Sequence, residues 1–372
     1  MLSTSKPKSV VGLDLEAGSV AAAEVGADGS HRVSQVAIAP LGSGVIKEGE
    51  VVEPDALSAS LRSLFAEHKL SKSVRLGVAN QRVSVRSFRL PLIEDPDELA
   101  TAVRFQAQEH LPMPLDQAVL DHRVVARFNN EDGSRGMEVV AVAARRDMVN
   151  TLLSAVRNAG LRPVGIDLSA FALIRALARD ADGSALDANG STPEANGNGD
   201  EPAQAPHVTT ALYCNLGDVT NLAVARGATC LFTRISPFGV EAMAQRLAER
   251  RTLSLEHARQ WLVHVGLEKP VLEIEGDQEI ITVAREALEE GSSKLADELR
   301  LSLDFYGAQE GVPAVERIAI AGPGSTIPGL TARLASVLGS QPLAVARPTA
   351  LAQLGEDAAA RLTISYGLAL EE

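Results

Sequence analysis

Short apolar runs and stretches with helical spacing alternate along the N-terminal part of this chain. Residues 8–39 contain three apolar runs separated by turn residues, which predicts three consecutive strands. Over residues 55–68, apolar side chains recur at the i, i+4, i+7 spacing of an amphipathic helix. Residues 74–79 return to a strand pattern. This first region therefore predicts a group of strands with one amphipathic helix.

The pattern changes after residue 82. Residues 83–90 alternate in polarity as a strand does, and a helix is predicted to open after Asp95. Asp95 suits the N-cap, Pro96 the first helical position and Glu98 the third, as in a capping box. We expect this helix to end before Pro112, because proline removes a donor and clashes with the preceding turn.

Two further strands and a helix follow. The strands are predicted at about 118–128 and 137–143, joined by a hairpin turn over 129–133. Asp147 is the predicted N-cap of the next helix, and Gly160 is its predicted end. From residue 83 onward, the order strand, helix, strand, strand, helix predicts a compact insertion.

Residues 181–206 separate the two halves of the chain and contain no Lys, Arg or aromatic residue. A segment with so little to bury cannot offset the entropy of ordering, so disorder is predicted. Beyond it, the pattern predicts helices at about 239–250, 255–265 and 281–309, and a strand with a Gly-containing loop that ends at Leu330.

Three Gly-containing segments, at 11–20, 212–222 and 318–330, carry the candidate chemistry. Each is an apolar strand-like run followed by a turn of small residues. Such a turn leaves backbone N–H groups free to face a phosphate without obstruction by side chains. The alternative interpretation is that strand, Gly turn and strand form an ordinary hairpin.

The first two of these segments resemble each other. Aligning Asn215 with Asp14 places Thr220 on Ser19, and both turns lead into a second apolar strand. This correspondence predicts a duplicated hairpin, and therefore an internal duplication of the chain.

A duplicated phosphate-type hairpin followed by a third Gly loop resembles the actin, Hsp70 and sugar-kinase superfamily, in which two related lobes close on ATP. Residues 91–115, 120–125 and 139–149 are similar in order and spacing to the PilM family, the FtsA-like branch that acts in type IV pilus assembly. Further similar stretches are 49–64, 160–169, 302–306 and 365–370.

The resemblance implies an α/β fold, namely a two-lobed actin-like (ribonuclease H-like, duplicated) fold with an inserted FtsA-type 1C subdomain. The implied parts are a first-lobe core (1A) over 8–82, 165–180 and 345–372, the 1C subdomain over 83–164, a disordered linker over 181–206, a second-lobe core (2A) over 207–238 and 311–344, and an outer subdomain (2B) over 239–310.

The resemblance also implies a site for ATP and Mg²⁺ between the lobes, with Asp14 as the residue that anchors the metal through water. Asn215 stands where the superfamily usually has a second Asp, and Asp218 lies close enough in sequence to substitute for it in part. The implied nucleotide-binding residues are Asp14, Gly18, Ser19, Asn215, Gly217, Asp218, Gly322, Gly324 and Ser325.

Several residues depart from the family pattern. Glu16 occupies a Gly position, and Ala21 stands where a Lys is usual. A carboxylate beside a triphosphate would repel it by about 1–4 kcal/mol. Asn215 lacks the metal-attracting charge, Pro323 lacks an N–H donor in the third loop, and Trp261 replaces a Lys on the adenine side. These departures predict weak binding of ATP and Mg²⁺ and no detectable hydrolysis.

Composition limits the classes of partner. The 372 residues carry 35 basic and 48 acidic side chains, a net charge of −13, which argues against a nucleic-acid or anionic-lipid surface. Two cysteines make no disulfide framework, and no run of about 18 apolar residues is present. We therefore expect a cytoplasmic protein that reaches the membrane only through a partner.

Three functions follow from the resemblance. The first is a scaffold of the pilus inner-membrane platform, whose groove between lobe one and the 1C subdomain holds the N-terminal tail of PilN, a bitopic membrane protein. The second is an active ATPase or phosphotransferase that uses Asp14. The third is a cytomotive filament in which nucleotide governs polymerisation.

Overall fold

A computed structural model describes residues 9–26, 29, 31–130, 132–181, 208–339 and 341–370. Ala181 ends a helix, and the rest of the predicted disordered linker, 182–206, lies outside the described residues. Within the described part of the chain, no helix is both long and apolar enough to cross a bilayer.

Strands and helices alternate along the described chain. The strands are β1 Ser9–Leu15, β2 Ser19–Gly26, β3 Val33–Pro40, β4 Ile46–Lys47, β5 Glu50–Val51, β6 Ser73–Val78, β7 Val83–Pro91, β8 Ala118–Asn129, β9 Arg135–Arg145, β10 Arg162–Leu168, β11 Thr210–Leu216, β12 Thr220–Arg226, β13 Thr229–Ser236, β14 Arg317–Ala321 and β15 Leu343–Val345. The helices are α1 Pro54–His68, α2 Pro96–His110, α3 Arg146–Asn158, α4 Ser169–Ala181, α5 Val240–Arg251, α6 Leu255–Val265, α7 Gln278–Gly307, α8 Leu330–Leu338 and α9 Glu356–Ala369.

Two five-stranded sheets have the same topology, and each is the centre of one lobe. The first sheet has the order β10-β6-β1-β2-β3 and the second has the order β15-β14-β11-β12-β13. In each sheet, two strands form an antiparallel hairpin. A third antiparallel strand pairs with one edge of the hairpin, and two parallel strands continue the sheet from the other edge. The duplicated α/β fold predicted from the sequence is confirmed.

The two hairpins differ by one residue at the turn. Leu15 pairs with Val20 in the first, whereas Leu216 pairs with Thr220 in the second. The structural counterpart of Thr220 is therefore Val20, and the sequence alignment of Thr220 with Ser19 was wrong by one position. The reason is that the first turn contains one more residue than the second.

Helices α4 and α9 lie between the two sheets and contact both. The inner faces of the sheets consist largely of small residues, including Ala23 and Ala223, which form one buried cluster with these helices. Gly12 permits the closest approach, since a Cβ there would lie 1.8 Å from the carbonyl oxygen of Ser365 in α9. The outer faces carry larger side chains and are covered by α1 and α3 on the first sheet and by α5 to α8 on the second.

A separate three-stranded sheet, with the order β7-β9-β8, is built from the segment between β6 and α3. Helix α2 packs on one face of it through Val103. As predicted, Asp95 is the N-cap of α2, and its Oδ1 accepts the N–H groups of Asp97 and Glu98, both at 2.9 Å. Helix α3 then connects this sheet to β10, the outer strand of the first sheet.

The predicted N-cap of α3 was wrong. The helix begins at Arg146, so the N-cap position belongs to Arg145 and Asp147 lies inside the first turn. The Asp147 carboxylate is engaged by the Arg145 guanidinium, at 3.1 Å for Nε–Oδ1, and the Arg146 N–H donates to the carbonyl of Gln117. The end of the helix is as predicted, with Gly160 just beyond it at a φ of 80°.

The contact between α4 and α9 is a second close approach of two backbones, and it offers a test of the core. A Cβ on Gly367 would lie 1.9 Å from the carbonyl oxygen of Ala172, so Gly367→Ala forces the two helices apart. We predict a loss of stability of about 1–3 kcal/mol or more, measured as a lower thermal midpoint. Gly307→Ala is the matched control, because no atom lies within 4 Å of that site and alanine is the better helix former. Equal midpoints for the two variants would contradict the prediction.

Candidate functional site

The ends of β1 and β11 bring two polar side chains to the cleft between the lobes. Asp14 is the penultimate residue of β1, and Asn215 holds the same place in β11. Each lies on the inner face of its sheet, with 9% and 6% of its surface exposed. The duplication therefore predicts correctly that these two residues are equivalent.

The turns that follow these strands contact each other across the cleft. The Ala17 N–H of the first turn donates to Asp218 Oδ2 of the second at 3.0 Å. The Glu16 carboxylate lies against Gly217, where an added Cβ would come within 2.3 Å of Glu16 Oε1. This approach needs a residue without a side chain at position 217.

A charged pair from the second lobe contacts the first turn. The Arg259 guanidinium donates to both carboxylate oxygens of Glu241, at 2.7 Å each. A Cβ added to Gly18 would lie 2.5 Å from Arg259 Cζ, so the guanidinium rests directly on the turn backbone. Sequence reasoning missed both members of this pair. A signal was present for Arg259, because it lies one turn from Leu255 and Leu262 on the apolar face of α6, where an arginine is unusual.

Trp261 lies on the same helix as Arg259 and packs within the second lobe. It packs against the second-lobe core and against Gly276, where a Cβ would lie 2.7 Å from the indole ring, and it meets the ring of His264 at 5.3 Å. The residue of α6 that contacts the phosphate-type turn is Arg259. Trp261 as a residue of the adenine side stays a prediction.

Burial makes the cleft carboxyl groups hard to ionise. Loss of solvation raises the pKa of Asp14 to about 7, and the neighbouring Asp218 adds to this rise. Burial also raises the pKa of Glu16 well above its ordinary value, with Asp218 and Asp14 adding to the effect and Arg361 opposing it. The pKa of Asp218 is likewise raised by burial.

The third loop lies beside Asn215. Gly322 has a φ of 83°, and a Cβ there would lie 2.5 Å from Asn215 Oδ1. The Ser325 hydroxyl and N–H both donate to the Gly322 carbonyl, at 2.7 and 2.9 Å. These contacts close a short 3₁₀ turn that begins at Pro323.

A small cavity lies under the two turns. It leaves about 40 Å³ for the centres of water molecules, which is room for a few waters. Asp14, Asn215 and Asp218 line it, whereas the other predicted residues, Gly18, Ser19, Gly217, Gly322, Gly324 and Ser325, do not.

Sequence reasoning also missed Asn221, which lines this cavity from β12 and is 1% exposed. Neither its amide nitrogen nor its carbonyl oxygen has a hydrogen-bond partner in the described structure. A buried side chain in this state is satisfied by water or by a ligand in the cavity.

These residues do not fit a bound triphosphate in the arrangement observed. Glu16 occupies the surface of the second turn that a phosphate would face, and Arg259, already neutralised by Glu241, occupies that of the first. Among the described residues, no group of three His, Cys, Asp or Glu side chains is arranged to hold a metal ion. Asp14 as a metal anchor stays a prediction.

The comparison with protein families agrees with the sequence pattern. Residues 12–191 match the family model of the type IV pilus assembly protein PilM. Over these residues, which make up slightly less than half of the sequence, the chain is similar to the PilM family. A chain in the solved structure of a PilM–PilN type IV pilus biogenesis complex has 23% identity and a TM-score of 0.74, with 98% of each chain covered. The fold of the PilM family therefore extends over the described chain.

More distant structures share the actin-like fold. The ethanolamine utilization protein EutJ from Carboxydothermus hydrogenoformans has 14% identity and a TM-score of 0.52, with 98% of this chain and 90% of that chain covered. MreB5 of Spiroplasma citri bound to ADP has 11% identity and a TM-score of 0.51, with coverages of 98% and 95%. The two-lobed actin-like fold expected from the sequence is confirmed.

The raised pKa of Asp14 predicts how stability depends on pH. Its pKa is about 7 in the folded protein, against an ordinary value of 3.8 for a solvated aspartate, so the folded protein holds a proton that the unfolded chain releases. This contribution to stability is complete below about pH 4 and is lost as the pH rises to about 7, on the order of 4 kcal/mol at most. Asp14→Asn should flatten the fall of the unfolding free energy over this interval.

Urea unfolding between pH 4 and pH 8 measures this effect. Asp304→Asn, at an exposed position of α7, is the control and should keep the wild-type slope. Identical pH profiles for Asp14→Asn and the wild type would refute the assignment.

Proposed function

We propose that this protein is a scaffold of the type IV pilus inner-membrane assembly platform and that it binds the N-terminal segment of PilN. The observation that carries the proposal is the PilM family match over residues 12–191, supported by the likeness to a PilM–PilN complex along the whole chain. We place the protein at the cytoplasmic face of the inner membrane, held there through PilN. Its net charge of −13 disfavours direct attachment to anionic lipid.

The proposed domain division supplies a place for the partner. The three-stranded sheet, as the 1C subdomain, and the first sheet, as the 1A core, are joined by α3. Exposed aliphatic residues lie on the outer strands on either side of this connection: Val119 on β8, and Val164 and Ile166 on β10, each 38–40% exposed. An outer strand with exposed aliphatic side chains suits an extended peptide, which gains main-chain hydrogen bonds and side-chain contacts together.

We further propose that the cleft between the lobes binds nucleotide weakly and does not hydrolyse it. Glu16 and the Arg259–Glu241 pair occupy the turns that would face phosphates, and the cavity holds only a few waters. The alternative function, an ATPase or phosphotransferase, requires those groups to move away. The scaffold function requires no such movement.

The peptide site is tested by a matched pair of variants. Ile166 and Val345 are both 38% exposed, and each belongs to the outer parallel strand of its own sheet. We predict that Ile166→Asp weakens binding of a labelled peptide from the cytoplasmic segment of PilN by about tenfold or more, because an apolar contact is replaced by a charge. Val345→Asp should bind as the wild type does, as measured by fluorescence anisotropy. Equal losses in the two variants, or none in either, would place the peptide elsewhere.

Attachment to the membrane through PilN is tested by sedimentation with lipid vesicles. The purified protein should not sediment with anionic vesicles and should sediment with the same vesicles once they carry the PilN segment. Binding to bare vesicles that weakens with salt would show direct attachment to lipid.

The nucleotide claim is tested by thermal melting with Mg-ATP. Millimolar ligand on a micromolar site would add about 4 kcal/mol of stability, whereas we predict little or no shift for the wild type. Glu16→Gly combined with Asn215→Asp should enlarge the shift, because a repelling carboxylate is removed and a metal-attracting one is added. Strong stabilisation of the wild type, with phosphate release that Asp14→Ala abolishes, would establish an active ATPase instead.

A further inference from the structure

We propose that the cleft between the lobes is held closed by the protein's own side chains, with Glu16 seated on the second turn and Arg259 seated on the first, so that closure needs no nucleotide. The contacts of Glu16 and Arg259 with the turns join one lobe to the other, whereas the Arg259–Glu241 pair lies within the second lobe. They do not involve β10 or the proposed peptide site.

Glu16 fills the space that a turn of small residues leaves open. The backbone of such a turn is normally accessible to an anionic ligand. Here the Glu16 carboxylate reaches across from the first lobe and lies so close to Gly217 that a methyl group at that position would overlap it, at 2.3 Å. The ligand face of the second turn is thus covered by a side chain of the first.

Arg259 covers the first turn in the reciprocal way. Its guanidinium lies 2.5 Å from the position of a Cβ on Gly18, and its charge is balanced by a bidentate pair with Glu241. The Glu241 side chain is 11% exposed and lies in the first turn of α5, where a negative charge is favourable. The two charges of the pair act in opposite directions on Asp218, since Glu241 raises the pKa of that carboxyl and Arg259 lowers it.

The hydrogen bond from Ala17 N–H to Asp218 Oδ2 reports on closure. Since donor and acceptor belong to different lobes, this bond persists only while the lobes stay together. An amide protected in this way exchanges its hydrogen when the lobes separate, so its exchange rate measures the open population.

Gly217→Ala is the first test, because the added methyl group would overlap the Glu16 carboxylate and displace it from the second turn. We expect exchange of the Ala17 amide to accelerate by about tenfold or more, with a larger radius of gyration by small-angle X-ray scattering. Glu16→Gly by itself removes one of the two side chains that hold the cleft closed and should accelerate the exchange as well, so Glu16→Gly combined with Gly217→Ala should not return to the wild-type rate. Asn215 Nδ2, at 3.1 Å from the added Cβ, remains in both variants.

The second test uses the charged pair and does not depend on the turn glycines. Arg259→Met leaves Glu241 buried without its partner, near Asp218 and Glu16, and should accelerate Ala17 exchange. Adding Glu241→Gln should remove the part of the effect that comes from the unpaired carboxylate and leave the part that comes from the lost contact with the first turn. Gln260→Ala, an exposed change on the same helix, is the control and should leave the rate unchanged. Protection of the β14 amides shows that each variant is folded.

The wild type with and without 1 mM Mg-ATP completes the experiment. If closure needs no nucleotide, the exchange rate of the Ala17 amide and the radius of gyration should be the same with and without Mg-ATP. The proposal is overturned if Mg-ATP slows the exchange about tenfold, if both Gly217→Ala and Arg259→Met leave it unchanged, or if the chain that lacks Glu16 exchanges at the wild-type rate. Binding of the PilN segment is measured separately, so its failure would not be confused with failure of this proposal.

Discussion

The close approach of α9 to its neighbours is the constraint on which the rest of the structure depends. Gly12 of β1 and Gly367 of α9 each occupy a place where a Cβ would overlap a backbone carbonyl, that of Ser365 and that of Ala172 respectively. Because the backbones meet without intervening side chains, α4 and α9 are fixed against the first sheet and against each other. Alanines on the inner face of the second sheet bring it onto the same pair of helices.

This arrangement decides what lies in the cleft. Strand side chains alternate between faces, so residues that share a face with Gly12 and with Ala211 point toward the shared helices. Asp14 and Asn215 are such residues, and the turns beyond them must converge. Convergence buries several acidic groups, which raises their pKa values and would resist closure if all were ionised. Protonation limits that cost, and so do the positive charges of Arg361 near Glu16 and of Arg259 near Asp218.

Sequence reasoning succeeds where a local pattern decides the structure. Asp95 caps α2 because a short acidic side chain before proline can reach two free N–H groups of the first turn. Gly160 follows α3 because a left-handed residue is needed there. The paired order of the two sheets follows from the duplicated hairpin.

The same reasoning fails where a distant contact competes with the local one. Asp147 has the right chemistry for an N-cap, but the Arg146 N–H donates to the distant carbonyl of Gln117 and α3 begins earlier than predicted, at Arg146. Arg259 was missed because only the packing of α6 on the second lobe brings its side chain to the first turn. Asn221 gives no sequence signal, because its lack of a partner is a property of the folded cavity.

If the protein's own side chains close the cleft, the surface that binds a partner does not depend on nucleotide. The cavity beneath the turns is walled on one side by Ile46 and Val51 of the first lobe and on another by Met148 and Leu152 of α3. Helix α3 also carries the connection to β10, where the exposed aliphatic residues lie. If the turns hold each other without a ligand, the position of α3 does not change with nucleotide supply. The surface offered to a partner peptide then keeps one shape, which lowers the ordering cost of binding and suits a protein whose role is to hold others in place.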